Sequence, residues 1–576
     1  MNRIDRFVIA GLVLVLAVAA FAIGGPAFAP AQQKASSAPS SVVAAAPYRE
    51  GILSRPTSVN PLAARSQADR DLVALVFEGL VGRADDGRPK PALARSWTSS
   101  PTGDAWTFEL APDHHWQDGE VVTADDVVFT IETLQDPDYH GPGAGSWTGV
   151  TVSAPDADTV RFELATPIGG FLDLARQPIA PRHLLGDTPP GGMADAAFGK
   201  EPIGSGPFVV DELDRDHAVL ERASDLSAPA IGATDTPRPS GDPLATPAPT
   251  RRPADARVGL DRLEFRFFDD AQALATAFRN GDLDAASGLD PAAATALAAT
   301  PGARAIDHPT TTIAAVALNL HPTEDAFADP RTRLALLAAI DRARIVSVAY
   351  GGAAVRADGL IPPSSPVFSA TASPPVARDL KAAAASLVTA GWTKAKDGWH
   401  RAGAKAPRTI QLLVPDRNVN PILFAAGSQI AADWTALGFT VTVVELDPAI
   451  IAADHLRTGD FEAALVDIAI GHDPDLYPLL ASSQIRTGGA NVIGLQDPLL
   501  DQLLATARKP AADDARILAY DALQKRLAGG TYLLPIAWPD DVFVVAQRVL
   551  GPAVREVSDG SERFGDVLTW RLADDR

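Results

Sequence analysis

The sequence predicts an α/β protein built from two or more lobes. Short apolar segments with the alternation of β-strands recur between longer segments with helical periodicity, which favours sheets covered by helices. At 576 residues, the chain is too long to fold around one small hydrophobic core. A hydrophobic share of 46% with 21% charged residues is typical of a globular protein.

The first predicted elements lie in the N-terminal third of the chain. Residues 69–80 have apolar side chains on one face of a predicted helix. Residues 106–110 alternate between apolar and polar side chains, as a half-buried strand does. The pair Asp118–Gly119 favours a tight turn, and Thr123 is a good N-cap for a helix with two aspartates in its first turn.

The middle of the chain continues the alternation of strands and helices. Residues 263–267 predict a strand, and residues 271–279 predict a helix that ends at Asn280–Gly281. Residues 312–320 form an apolar run that predicts a strand, and residues 331–344 have the pattern of one amphipathic helix.

The last clear unit is a strand, a helix and a second strand. Residues 409–414 and 440–445 predict the two strands. Residues 421–437 predict the helix between them, which Gly438 closes because glycine accepts the left-handed conformation at a helix end.

The N-terminus predicts a targeting segment. Two arginines precede an apolar run from Phe7 to Ile23, which is typical of a signal sequence or a membrane anchor within residues 1–29. Cleavage after Ala27–Ala29 would leave Pro30 at the new N-terminus, which signal peptidases accept poorly, so we favour an uncleaved anchor over a cleaved signal. Residues 30–47 are rich in alanine, serine and proline and predict a flexible linker. Both alternatives place the rest of the chain outside the cytoplasm.

A second low-complexity segment covers about residues 224–257. It has seven prolines between Pro229 and Pro253, and so many prolines favour neither a helix nor a central strand. We interpret this segment as an exposed insertion in a lobe, with a linker between domains as the alternative.

Composition excludes several classes of function. The net charge is −21, which argues against binding to nucleic acid. The sequence has no cysteine, so disulfides, thiolate metal sites, a cysteine nucleophile and a lipid anchor on an N-terminal cysteine are not expected. The sequence motifs of P-loop ATPases, α/β-hydrolases and HExxH zinc enzymes are also absent.

The segment Trp106–Phe129 resembles a signature of the family 5 extracellular solute-binding proteins, the oligopeptide and dipeptide receptors of ABC importers. Asn60–Leu62 and Phe77–Leu80 resemble the opening strand and first helix of that family. Further segments resemble its other motifs: Pro91–Trp97, Pro202–Phe208, Phe278–Asp284, Asn319–Leu320, Phe327–Ala335, Ala339–Arg342, Ala390–Trp392, Leu437–Phe439 and Asp473–Asp475. Most of these positions are expected to support the scaffold rather than to contact ligand.

The resemblance implies an α/β, two-lobed periplasmic-binding-protein-like fold (type II, Venus flytrap) with an extra subdomain in the first lobe. We expect the first lobe at residues 48–309, with its subdomain at about 86–201. The second lobe is expected at 310–539, and the return to the first lobe at 540–576. A ligand would be enclosed between the lobes when they close.

The resemblance also suggests a ligand site. Residues 461–477 match a segment that lines the cleft in peptide-binding relatives, where an acid holds the amino group of the peptide. Ile470 occupies that position here and cannot neutralise an ammonium; Asp467 is the nearest acid that could replace it. The expected contacts are Asp467, Ile468, Ala469, Ile470, Gly471, His472, Asp473 and, near the hinge, Trp538.

We therefore expect a non-catalytic receptor with peptides as the leading ligand class and only weak dependence on a free ligand amino group. An oligosaccharide or another small polar solute, a sensor without import, and a secreted hydrolase are the alternatives. The resemblance implies permease subunits and a separate ATPase as partners. We expect a monomer without a cofactor. We also expect no metal site, since His114–His115 has no third ligand at a suggestive spacing.

Overall fold

The structure is a computed structural model that describes residues 47–85, 87–144, 146–223, 259–322, 326–485, 489–509 and 513–573. The expected anchor at residues 1–29, most of the expected linker and the proline-rich segment lie outside these described residues. None of the helices within these ranges is both long enough and apolar enough to span a lipid bilayer.

The described strands are numbered in chain order. They are β1 (Tyr48–Ile52), β2 (Val81–Arg83), β3 (Pro89–Pro91), β4 (Ala94–Ser99), β5 (Ala105–Leu110), β6 (Val150–Asp156), β7 (Thr159–Leu164), β8 (Phe208–Leu213), β9 (His217–Arg222), β10 (Arg262–Phe267) and β11 (Ala285–Ser287). They continue with β12 (Ala303–Pro309), β13 (Thr312–Leu318), β14 (Ala354–Arg356), β15 (Thr393–Ala395), β16 (Gly398–His400), β17 (Thr409–Pro415), β18 (Thr440–Leu446), β19 (Ala463–Ala469), β20 (Leu533–Ala546), β21 (Val549–Leu550) and β22 (Arg571–Leu572).

The described α-helices are numbered in the same way. They are α1 (Gln67–Val76), α2 (Ala124–Gln135), α3 (Phe171–Leu174), α4 (Arg182–Leu185), α5 (Ala271–Arg279), α6 (Pro291–Ala298), α7 (Pro330–Ala339), α8 (Arg342–Val348), α9 (Leu380–Thr389), α10 (Pro421–Leu437), α11 (Pro448–Ile450), α12 (Tyr477–Leu480), α13 (Pro498–Ala507) and α14 (Asp513–Gly530). A π-helix covers Ile451–Leu456, and 3₁₀-helices cover Pro190–Asp195, Ala197–Lys200, Ser482–Gln484 and Gly560–Thr569.

One strand, β20, passes through both lobes of the molecule. Its first half pairs with β13 and β14, and its second half pairs with β11 and β12. The strands therefore follow the order β18-β17-β19-β13-β20-β11-β1-β10-β9-β8. We call the elements built on β1 and β8–β12 the first lobe, and those built on β13, β14 and β17–β19 the second lobe.

Each part of this sheet is covered on both faces by apolar side chains, as expected for sheets of this kind. Along β13, Ala314 and Val316 belong to one cluster, whereas Ile313 and Ala315 belong to the cluster on the opposite face. In the first lobe, a separate four-stranded sheet of order β4-β5-β7-β6 extends the main core. Phe108 and Phe162 of this smaller sheet pack edge to face, with ring centroids 5.7 Å apart.

Local signals placed several elements correctly. The predicted helix at 421–437 is confirmed at both ends: Asn420 caps it, Pro421 opens it, and Gly438 closes it with a φ of 114°. The predicted helix at 271–279 is also confirmed, with Asp270 as its N-cap.

Two predicted helices were wrong in extent. The helix predicted at 331–344 is two helices, because the chain turns at Ile340 and Asp341 caps the second helix through the backbone N–H of Arg344. Asp433 Oδ2 also accepts the backbone N–H of Asp341 at 2.9 Å, which a continuous helix would have used. The helix predicted at 69–80 begins earlier and ends at Val76, since Phe77 is extended.

The opening strand was also misplaced. Asn60–Leu62 forms a turn, and the first strand is β1. Asp329 caps α7, because it accepts the backbone N–H of Arg331 at 2.8 Å. Arg342 pairs with a carboxylate: its Nη2 lies 3.3 Å from Asp358 Oδ1.

Candidate functional site

A cavity of about 430 Å³ opens in the second lobe. Its walls come from the ends of β17 and β19, the start of α10, and four residues after β18, which are Pro448, Ile451, Ala452 and Leu456. Pro415 ends β17 and Asn420 begins α10, so both lie where the chain leaves the sheet. A cavity at the ends of neighbouring strands is a common place for a ligand in an α/β fold.

The lining of the cavity is almost entirely apolar. Asn420 and Asp467 are the two described lining residues with polar side chains. The sheet contributes buried side chains such as Ala317 and Leu533, and the segment Pro448–Leu456 contributes Ile451. Such a surface favours an apolar ligand group, with polar recognition concentrated at one point.

Asp467 provides that polar point. Its Oδ2 accepts a hydrogen bond of 3.5 Å from Asn420 Nδ2, while Asn420 Oδ1 caps α10 through the backbone N–H of Leu423. No lysine, arginine or histidine in the described part of the chain forms an ion pair with Asp467. The side chain has exposed surface, yet it lies in a concave site whose protein walls exclude much of the water. This desolvation raises the pKa of Asp467 to about 6.

Tyr350 is a buried neighbour of this acid. Its hydroxyl has no hydrogen-bond partner among the described residues. Burial, followed by the charge of Asp467, raises the pKa of Tyr350. Tyr350 is 3% exposed and belongs to an apolar cluster, and it is not among the residues that line the cavity. An acid without a cation is unusual for a purely structural region and is typical of a site completed by a ligand.

The other residues expected from the sequence have different surroundings. Ile468 and Ala469 line the cavity beside Asp467. Ile470 packs against the apolar cluster of the second lobe, and its backbone N–H donates to Thr311 O at 3.0 Å. Gly471 has a φ of 81°, which turns the chain away from the sheet.

His472 lies in a contact between the lobes rather than in the cavity lining. Its Nδ1 is 2.9 Å from Glu556 Oε1, and its Nε2 is 2.8 Å from Glu562 Oε2. The guanidinium of Arg83, which can only donate, also approaches the ring: its Nη1 contacts Nδ1 and lies 2.6 Å from Nε2. Burial alone would lower the pKa of His472, but the hydrogen bonds to the two glutamates raise it.

Two arginines of the first lobe complete this contact. Arg83 Nη2 lies 3.2 Å from Glu556 Oε1, and Arg176 Nη2 lies 2.6 Å from Glu562 Oε1. The side chain of His472 is only 5% exposed, so the imidazole is enclosed by charged groups. The cluster joins the chain after β19 to the segment near the C-terminus, which packs on the first lobe.

Asp473 belongs to the same contact region. Its carboxylate pairs with Arg516 Nη2 at 2.6 Å, and its backbone N–H donates to Asp173 Oδ2 of the first lobe at 2.7 Å. Asp475 Oδ2 accepts the backbone N–H of Gly169 at 3.4 Å. The carboxylate of Asp473 is therefore occupied by an arginine, unlike that of Asp467.

Trp538 is placed in the core of the second lobe. Its side chain is 3% exposed and belongs to an apolar cluster. It is not among the residues that line the cavity.

The described residues show no group of three or more histidine, aspartate or glutamate side chains arranged to hold a metal ion. His114 is buried, whereas the neighbouring His115 is exposed, so the pair does not present two imidazoles to one point.

Several site residues were missed by sequence reasoning. Asn420 appeared only as the residue before a predicted helix, and the segment Pro448–Leu456 had no motif. Glu556 and Glu562 lie more than eighty residues beyond His472 in the chain. Neither Asn420 nor the two glutamates have a local sequence signal for these partners, since only the fold brings the residues together.

The chain is similar to known bacterial solute-binding proteins. Residues 88–488 match the family model described as "Bacterial extracellular solute-binding proteins, family 5 Middle". Protein XP55 of Streptomyces lividans is 29% identical over 510 residues, which span 86% of this chain and 84% of that protein. The oligopeptide-binding protein AppA of Bacillus subtilis is 23% identical over 537 residues, or 87% of this chain and 88% of that protein.

Solved structures share the fold. The structure of AppA from Bacillus subtilis, in complex with a nonapeptide, covers 92% of this chain and 99% of its own, with a TM-score of 0.67 and 20% identity. The substrate-binding protein CtaP of Listeria monocytogenes covers 92% of this chain and 100% of its own, with a TM-score of 0.72 and 22% identity. The two-lobed α/β fold is therefore established, and the chain belongs to the bacterial extracellular solute-binding proteins of family 5.

Proposed function

We propose that this protein is the receptor of an ABC importer that captures peptides between its two lobes and delivers them to a membrane permease. Proteins of this family bind solutes outside the cytoplasm. Relatives that carry the names of oligopeptide-binding proteins support peptides as the ligand class, as does the nonapeptide in the AppA complex. Binding and delivery, rather than bond cleavage, are the proposed activity.

The observation that carries this proposal is the unpaired carboxylate of Asp467 in an apolar cavity. A bound ammonium would supply the missing cation and would offset the desolvation of the acid. The resemblance places Ile470 at the position of the acid in peptide-binding relatives, and the side chain of Ile470 packs on the core. We propose that Asp467 receives the ligand amino group instead, which replaces the expectation of weak dependence on that group.

Calorimetric titration of the purified protein with a free-amine tripeptide and its N-acetylated form tests this proposal. We expect the acetylated form to bind at least about 2 kcal/mol more weakly, the scale of a hydrogen bond to a charged group. The Asp467→Asn variant should lose this difference. An Asp454→Asn variant, which changes an exposed aspartate outside the cavity lining, is the matched control and should keep it.

Equal binding of the two peptides by the wild-type protein would exclude Asp467 as the amine site. Steady hydrolysis of the tripeptide by the pure protein would contradict the non-enzymatic function. Native mass spectrometry of protein purified from its own host would identify a retained ligand, and a retained sugar would contradict the peptide class.

We further propose that residues 1–29 anchor the receptor in the cell membrane, and that it acts as a monomer with permease subunits and a separate ATPase. The apolar run behind two arginines supports an anchor. Mature protein should then begin at Met1 or Asn2 and fractionate with membranes. N-terminal sequencing that starts at Pro30 or later would instead support a cleaved signal.

A further inference from the structure

We propose that two copies of the free receptor pair through the outer edge of β18, in an antiparallel register about a two-fold axis at Val443. The sheets of the two second lobes would then be continuous across the dimer. This inference goes beyond the proposed function: the monomer remains the form that engages the permease, and the pair is a form of the free receptor.

The strand β18 is at one end of the sheet that β20 runs through. It pairs with β17 along its whole length, from Thr440 to Leu446, and with no other strand in the described part of the chain. Thr440, Thr442 and Val443 are exposed. The outer edge of such a strand presents unpaired N–H and C=O groups, so it can accept a further strand.

The strand at the opposite end of the same sheet, β8, is protected against such pairing. It carries the exposed acids Asp211 and Glu212, and a bulge between Val210 and Glu212 interrupts its register with β9. Charges and bulges are common devices that prevent pairing at sheet edges. Over its described length, β18 has no bulge, no proline and no lysine, and its sequence is Thr-Val-Thr-Val-Val-Glu-Leu.

The one charged residue of β18 does not protect the edge. Glu445 is held by Arg417 of the same copy: Arg417 Nη2 lies 2.7 Å from Oε2, and Arg417 Nε lies 2.9 Å from Oε1. The guanidinium offsets the carboxylate charge, so Glu445 repels an incoming strand less than a free acid would.

The sequence of β18 is complementary to itself in antiparallel register. Around a two-fold axis at Val443, each residue of one strand faces a residue of the other copy. The facing pairs are Val443 with Val443, Thr442 with Val444, Val441 with Glu445, and Thr440 with Leu446. No like charges face each other, and β-branched side chains pack well across paired strands. Because the contact is symmetric, it closes with two copies and gives a dimer rather than a fibre.

The charges near the two ends of β18 are complementary in the same register. The β15–β16 hairpin carries the exposed Lys394 and Lys396 and adjoins the start of β18, since Lys394 Nζ donates to Leu437 O at 3.0 Å. Asp416 and Asp447 lie beyond the other end, because they directly follow β17 and β18. Antiparallel pairing places the basic end of each copy beside the acidic end of the other.

The contact is small, so the pairing should be weak and reversible. Seven residues of each copy form it, whereas a standard interface has about 20–30 residues on each side. We therefore expect a dissociation constant between about 10 µM and 1 mM, the range of weak binding.

Cysteine cross-linking of the full-length protein tests the inference, because the sequence has no cysteine. In Val443→Cys, the two thiols would meet at the axis, where facing Cα atoms are about 4.5–5.5 Å apart, a distance that a disulfide spans. Under a mild oxidant, we expect a covalent dimer to form at least about tenfold faster than in Val348→Cys, because pairing raises the effective concentration of the thiols. Val348 is more exposed than Val443, at 66% against 38%, but it lies in α8 and not at the sheet edge. Equal rates would overturn the inference.

Charge variants at the axis test the register. Val443→Lys and Val443→Glu each place like charges opposite each other, so each variant alone should stay monomeric, whereas an equimolar mixture should dimerise. Val348→Lys should dimerise like the wild type. Small-angle X-ray scattering up to about 1 mM protein would measure the dimer fraction, and circular dichroism would check that the variants fold.

A wild-type protein that stays monomeric throughout would overturn the inference, as would a dimer that persists in Val443→Lys or a mixture that does not dimerise. Peptide titrations separate these outcomes from the proposed function, since Val443 does not line the cavity and its variants should bind peptides like the wild type. Dimerisation without binding of any peptide would contradict the peptide function and leave the pairing in place.

Discussion

Asp467 offers a carboxylate to a ligand, but this carboxylate lowers the stability of the ligand-free protein. An acid in a concave, mostly apolar site is harder to ionise than one in water, and no described cation compensates it. Residues that are unfavourable in the free protein and become favourable with ligand are common in binding sites. The consequence can be measured without any ligand.

We expect Asp467→Asn to stabilise the free protein at neutral pH. The folded-state pKa of about 6 lies above the ordinary value of 3.8, so the folded protein holds this proton more tightly. Stability from this group is therefore greatest at low pH and falls as pH rises from about 4 to 6. The variant should melt at the same temperature as the wild type near pH 4, and roughly 1–2 °C higher above pH 7, allowing for solvent screening.

Circular dichroism melts between pH 4 and pH 8 would measure this difference. The Asp454→Asn variant controls for the loss of one surface charge, since Asp454 is exposed on the same lobe. A melting difference that did not grow with pH would mean that Asp467 is not desolvated in the folded protein.

Arg563 shows which residues sequence reasoning could not place. Its guanidinium is almost fully buried, with Nη2 2.7 Å from both Glu50 Oε1 and Asp71 Oδ2. The ring of Phe564 lies 4.1 Å from the guanidinium carbon. Arg563 is 513 positions from Glu50, so no local pattern links them. These two ion pairs join the C-terminal segment to β1 and α1.

At the scale of elements, the sequence predicted a helix boundary correctly where residues next to that boundary cap or end the helix. The helix α10 was predicted at both ends because Asn420, Pro421 and Gly438 act on their own backbone. The break between α7 and α8 was missed because part of its cause is Asp433, which lies ninety-two residues away. The cavity was only partly predicted for the same reason, since its walls come from separate segments of the chain.

We expect Gly204→Ala to destabilise the protein by about 1–3 kcal/mol, the usual cost of overpacking. A Cβ at this position would overlap the carbonyl oxygen of Val76, at the C-terminal end of α1, so the backbone of one element would have to move. The reason is a close approach and not a left-handed backbone, since Gly204 is not among the glycines with positive φ. Urea denaturation would measure the change.

Gly529→Ala is a control for which we expect the free energy of unfolding to increase rather than decrease. Gly529 lies in α14, and a Cβ there would meet no heavy atom within 4 Å. Because alanine favours helix more than glycine, we expect this variant to be more stable by about 0.5–1 kcal/mol. If Gly204→Ala were as stable as the wild type, the segment 202–208 would not need its close contact with α1.

At the scale of the whole molecule, the two lobes are joined by charged groups around His472. The imidazole lies between Glu556 and Glu562, and Arg83 and Arg176 pair with the same two glutamates. Burial alone would raise the pKa of Glu562, but the hydrogen bond to His472 and the charge of Arg176 lower it. This contact stabilises the arrangement in which the lobes touch.

We expect the contact to weaken at high pH. The folded-state pKa of His472 is raised above its ordinary value of 6.5. Its stabilising contribution is therefore complete below pH 6.5 and is lost as pH rises through the higher folded-state value. His472→Gln removes the charge at every pH and should destabilise the protein by about 2 kcal/mol near pH 6, the scale of hydrogen bonds to charged groups. The penalty should shrink towards pH 9.

Small-angle X-ray scattering of the ligand-free protein would show whether this loss separates the lobes. The wild-type radius of gyration should increase between pH 6 and pH 9, whereas His472→Gln should have the larger radius at both values. His140→Gln is a suitable control, because His140 is exposed and lies outside the contact. If the radius of gyration rose with pH equally in the wild type and in His472→Gln, titratable groups other than His472 would cause the lobes to separate. A radius that did not change, together with an unchanged stability, would mean that the imidazole does not hold the lobes together.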